Sequence, residues 1–229
     1  MPTLSASRRT GLFTGWLIAG LGLLYAIVTT IGLFQLPSPD EPITNPYFTM
    51  MELLTLLIAP SILLVMVVVH NHTDSRHRSF SLAAIFFLGM MTVVTSAVHT
   101  MVLAFQKNPG GIPTGIAWFF DFRWPSVVYA LDILAWDWFY PLAMLFASAI
   151  YHKDNFDKTL RMLMLISALL ALLGLMGVPL ADMQLRNIGI IGYAVLGPVI
   201  FLLMGLRLKR TARSSGQTER EGHDRSRDK

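Results

Sequence analysis

Cysteine is absent from this 229-residue chain. Disulfides, thiolate nucleophiles and cysteine-ligated zinc or iron–sulfur centres are therefore excluded. Charge is scarce as well, at 14% of residues against roughly 25% in a soluble domain. The chain has no P-loop, no G-x-S-x-G elbow, no dinucleotide-binding glycine set and no H-E-x-x-H pair. No catalytic residue, metal ligand or cofactor is assigned on these grounds, and an enzyme is the less favoured reading.

What is present is apolar: 54% of residues are hydrophobic, and they come in long blocks. Gly11 to Phe34 carries no charge and spans about 36 Å as a helix, enough to cross a bilayer. The pattern predicts an all-α polytopic bundle with spans at about 11–34, 49–69, 80–105, 125–151, 159–180 and 187–206. Four prolines between positions 37 and 46 forbid a helix between the first two spans. Pro125 suits the first position of the fourth span, and Gly197-Pro198 predicts a kink in the sixth. Residues 1–10 read as a polar amino-terminal segment ahead of an uncleaved anchor, and residues 207–229 as a charged, disordered tail.

Six spans sort the basic residues unequally. The amino end, the 70–79 loop, the 152–161 segment and the tail hold 15 Lys and Arg, whereas the other face holds only Lys107, Arg123 and Arg186. The positive-inside rule then puts both ends in the cytoplasm and the protein in the cell (plasma or inner) membrane. Arg207, Lys209, Arg210 and Arg213 beside the bilayer read as contacts with anionic lipid. Nucleic-acid binding has no support beyond that basic tail.

The informative stretch is Trp124-Pro-Ser-Val-Val-Tyr-Ala-Leu-Asp132-Ile-Leu-Ala-Trp136-Asp137. It puts two carboxylates inside a membrane span, where charge costs a few kcal/mol and normally faces protein or water. Topology turns position into depth. Asp132 and His99 both fall roughly 10 Å below the outer surface, with Glu52 slightly shallower. Three ionisable groups from three helices thus share one layer. Ser96 and Thr55 lie one turn from His99 and Glu52 and join the same polar set. Asp137 sits about 140° from Asp132 on an ideal helix, so the two face one partner only if a kink or π-bulge intervenes near Pro141. His70, His72 and His77 read as solvated loop residues rather than a metal cluster.

The stretch W-P-S-x3-A-L-D-x-L-A-W-D resembles one found in uncharacterised prokaryotic multi-span membrane proteins, and the likeness extends to Met51-Glu52 and to Ser96-Ala-Val-His99. It implies a six-span fold and no activity. Three functional readings follow from the residues. The first is binding or proton-linked transport of a small amphiphile or cation through a polar cavity in the outer half, with Asp132, His99, Glu52, Asp137, Ser96 and Thr55 as its residues. The second is a lipid-modifying enzyme using the same Asp/His/Glu cluster. The third is a structural or accessory subunit.

Overall fold

The computed structural model describes residues 5–38, 41–107 and 115–211. Six helices are long and apolar enough to span a membrane, and no strand occurs among the described residues. We label them α1 (Ala6–Phe34), α2 (Tyr47–Asn71), α3 (Arg78–Lys107), α4 (Val127–Ser148), α5 (Asn155–Leu175) and α6 (Arg186–Thr211). In hydrocarbon every backbone N–H and C=O must be bonded within the segment, so a spanning apolar run has to be helical. Buried or lipid-facing hydroxyls are satisfied the same way: Thr14, Thr30 and Thr55 each donate to the carbonyl one turn back.

Several boundaries move for local reasons. Ser5 caps α1, so Arg8 and Arg9 lie inside its first turns. Helix α4 starts at Val127, not Pro125, because the Ser126 hydroxyl accepts the Tyr129 N–H. Helix α5 starts early, at Asn155, because Asp154 caps it. It ends at Leu175 rather than near 180, and turns carry the chain to Leu185. The last helix then starts on Arg186 itself. It continues to Thr211, so residues 207–211 are helical. The rest of the expected tail, Arg213 included, lies outside the described residues.

Successive helices pack as neighbours, and α1 closes the ring against α6. At that crossing a Cβ on Gly15 would lie 2.8 Å from the Phe201 carbonyl oxygen, beside Gly205. The Gly11-x-x-x-Gly15 pair is therefore a genuine close-approach face. The most enclosed helix is α4, with 61% of its spanning window buried against 22% for α1. The helix that carries both aspartates is thus the one most surrounded by protein. The main apolar core includes Met66, Met91, Met144, Met164 and Met204 and extends to Ala135 and Trp136, between the two aspartates of α4.

The Asp154 cap leads to an expected result. Its Oδ1 accepts the Asp157 N–H at 2.9 Å, and this bond, with Arg207 nearby, holds its carboxyl below the usual carboxylate range. Asp154→Ala should lower stability by about 1 kcal/mol at neutral pH. A depressed folded-state pKa means that the stabilisation is lost as pH falls through that value, below 3.8. Thermal unfolding in detergent should show wild type and variant converging in acid.

Candidate functional site

Helix α4 is not a regular α-helix. Leu134–Phe139 forms a π turn, and the Tyr140 N–H bonds to the carbonyl of Ala135, five residues back. Pro141 explains the location. It has no N–H to offer the Asp137 carbonyl, so the α-ladder is already broken there. A π turn brings residues five apart toward one side. Asp132 and Asp137 consequently reach a single partner, the guanidinium of Arg186.

Arg186 Nε lies 3.3 Å from Asp137 Oδ2, and its Nη2 donates to Asp132 Oδ2. The same guanidinium carbon sits 4.4 Å from the centroid of the Tyr129 ring, a cation–π contact. The chain of contacts continues through Asp132. Its Oδ1 is 3.4 Å from His99 Nε2, and His99 Nδ1 lies 2.6 Å from Glu52 Oε2. Five ionisable groups from α2, α3, α4 and α6 therefore form one line: Glu52, His99, Asp132, Arg186, Asp137. All five are buried. Phe122, from the connection before α4, closes over His99 with ring centroids 5.8 Å apart.

Four members of this line, Glu52, His99, Asp132 and Arg186, form one wall of a cavity of about 260 Å³. Ile18, Gly22 and Tyr25 of α1 face it, and Trp136 and Tyr193 add aromatic wall. Three atoms of the line lack a hydrogen-bond partner: His99 Nε2, Asp132 Oδ1 and Asp137 Oδ1. The first two belong to cavity-lining residues. Asp137 Oδ1 instead lies against the α5–α6 crossing, beside Gly174 and Gly189.

Of the residues named from sequence, the structure joins Glu52, His99 and Asp132 directly, and Asp137 through Arg186. Thr55 lines the cavity while its hydroxyl bonds to the Met51 carbonyl. Ser96 is half-buried and does not line it. Its neighbour on α3, Thr95, has its hydroxyl fully buried instead. Arg186 is absent from the residues named from sequence because the sixth span, as read from hydropathy, begins at Asn187, just past it. The available signal was charge balance, since the acids Glu52 and Asp132 in one layer, with Asp137 about a turn and a half deeper, call for a cation, and Arg186 is the basic residue nearest a span end on that side. Tyr25, Tyr129 and Tyr193 gave no comparable signal, because an aromatic in a membrane span is lipid-facing or packing by default.

At the opposite face Arg207 is not free to meet lipid. Its Nε lies 2.5 Å from Asp157 Oδ1, and its Nη1 is 3.4 Å from Asp154. Arg210 is exposed and lies over the Phe156 ring at 4.8 Å. No family model matches this chain, and neither does any curated protein or solved structure.

Proposed function

We propose that this six-span bundle binds a small amphiphile or cation in the cavity beside Asp132, with proton uptake or release linked to binding. The observation that carries this reading is that Asp132 and His99 line a cavity instead of being plugged by side chains. Its volume, about 260 Å³, sits near the lower end of ligand pockets, roughly 300–1,000 Å³. That suits a compact ligand better than a whole diacyl lipid, and favours binding over lipid modification. The walls suit a cation. Three carboxylates face one guanidinium in the line, leaving negative charge for a ligand or for protons to neutralise, and tyrosines and a tryptophan offer π faces.

Proton linkage follows from the geometry of His99. A carboxylate stands at each ring nitrogen, hydrogen-bonded at Nδ1 and 3.4 Å away at Nε2, and both nitrogens can donate only when the ring is an imidazolium. A cation entering beside Asp132 competes directly with that second donor. Binding of a cation and loss of a proton are thereby coupled. We place the protein in the cell membrane with both ends cytoplasmic, on the strength of the basic residues concentrated on the Ser5 and Thr211 face. Of the four basic residues read as lipid contacts after the sixth span, Lys209 and Arg210 are the described ones left to meet anionic lipid.

The test uses Trp136 in the cavity wall. Purified protein in detergent is titrated with a series of alkyl- and arylammonium ions while tryptophan fluorescence is followed, with Trp136→Phe as the reporter control. Saturable quenching is expected, with proton release in weakly buffered solution. Asp132→Asn combined with His99→Ala should weaken binding at least tenfold, about 1.4 kcal/mol. Unchanged affinity in that double variant, or no saturable signal across the series, removes the proposal.

A further inference from the structure

A second cluster lies on the face that carries Ser5 and Thr211. The α2–α3 turn supplies Asp74 and His77, and the α4–α5 turn supplies His152. Each offers one ligand atom, and these atoms lie within 4.8 Å of one another. The two imidazole rings are in contact, with centroids 4.4 Å apart. His70 is not part of this group, since its Nδ1 lies 2.7 Å from the Ser81 hydroxyl. The three neighbouring histidines of the sequence do not act together. The pairing that matters crosses from one hairpin to another.

From this geometry we infer a divalent transition-metal site, of the zinc class, formed by His77, His152 and Asp74. His152 is oriented as a metal ligand is. Its Nδ1 is 3.1 Å from the Ile150 carbonyl, and a carbonyl only accepts, so Nδ1 donates there and Nε2 is the nitrogen left for a metal. His77 Nδ1 is 2.7 Å from Asp74 Oδ1, so these two atoms already stand side by side, and a metal that takes both replaces the hydrogen bond between them. A backbone carbonyl behind a ligating histidine is a usual outer support of a metal site. Two imidazoles and one carboxylate are a donor set that zinc takes with an open fourth position.

The group is wider than a metal would leave it. Donor atoms around tetrahedral zinc are about 3.3 Å apart, so binding draws the two turns together by at most about 1.5 Å. The side chains are placed to allow this, because Asp74 and His152 are exposed. Lys153 is the competitor. Its Nζ lies 3.4 Å from Asp74 Oδ2, on a side chain 60% exposed. Metal binding displaces that ammonium and ties the α2–α3 hairpin to the α4–α5 hairpin.

The experiment uses full-length protein purified without a histidine tag, with Zn²⁺ alone as the probe. Affinity is read by competition with a chromophoric chelator, and the melting temperature is recorded with and without zinc. One zinc per chain is expected, with a higher melting temperature by mass action. His77→Ala and His152→Ala should each weaken binding at least tenfold, in line with the loss of a metal-site residue. Lys153→Ala should tighten binding, while His70→Ala should leave it unchanged. Absence of stoichiometric zinc in the wild type overturns the site. So does zinc binding that survives the His77→Ala/His152→Ala double variant, or that weakens equally with His70→Ala. Since these side chains lie in surface turns, the zinc-free melting temperature of each variant shows separately whether the fold is intact.

Discussion

Arg186→Met should lower stability by about 3–5 kcal/mol, the usual cost of removing one partner from a buried ion pair. The side chain is close in length and apolar, so little of the loss comes from a void. What is lost is the one guanidinium that serves two buried aspartates. The two do not suffer equally. Asp132 retains His99 at 3.4 Å. Asp137, whose side chain is 0% exposed, has no other charged partner among the described contacts. Adding Asp137→Asn to Arg186→Met should therefore recover more stability than adding Asp132→Asn. Arg186→Lys should also fail to restore the wild type. A single ammonium cannot reproduce a fork in which Nη2 meets one carboxylate and Nε the other. Melting temperatures of these variants in one detergent decide the matter. A wild-type melting temperature for Arg186→Met would show that the guanidinium is not the countercharge of this layer.

Gly189→Ala should produce the second large loss, for a steric reason. A Cβ at this position would fall 2.3 Å from Asp137 Oδ1, with Gly174 Cα at 3.3 Å. Gly174→Ala meets backbone directly, with Gly189 Cα and N both at 2.8 Å. Overpacking of this kind costs about 1–3 kcal/mol, occasionally more. Here the added methyl also pushes Asp137 away from Arg186, so the loss should approach that of Arg186→Met. The matched control is Gly20→Ala, where a Cβ meets nothing within 4 Å. That change should be neutral or slightly stabilising, since alanine is the better helix former. Thermal unfolding of the three variants separates crowding at the α5–α6 crossing from a general glycine effect. If Gly189→Ala melts with Gly20→Ala, that crossing is looser than described.

The two predictions meet at one structural feature, the π turn of α4. Without it Asp132 and Asp137 would point to different neighbours, and Arg186 would reach one of them. The turn also explains how α4 accommodates Pro141 while remaining the most enclosed helix. A similar device recurs on α6, where Ile191–Leu196 forms a π turn just before Pro198, which has no N–H for Ala194. Its glycine, Gly192, uses its carbonyl to accept the Ser167 hydroxyl at 2.7 Å, and Ser167 is in turn 2.9 Å from the Tyr140 hydroxyl. Backbone irregularity in hydrocarbon is tolerated where protein satisfies the freed groups.

From the amino-acid order alone came the number of crossings, because hydrocarbon demands about 20 apolar residues per helix and the blocks have that length. The shared depth of Glu52, His99 and Asp132 was also legible, since rise per residue converts position into height with an error of only a few residues. Rotation about each helix axis was not. One π turn shifts every later side chain around the axis, and nothing in the spacing of apolar residues reports it. The ends of α5 and α6 were decided by caps and turns rather than by hydropathy, and a few residues there were enough to carry Arg186 from just outside the expected sixth span into the bundle. Whether the polar layer borders a cavity or a filled interior depends on how six helices pack at once. That is a property of the assembled volume, which no local stretch of chain encodes.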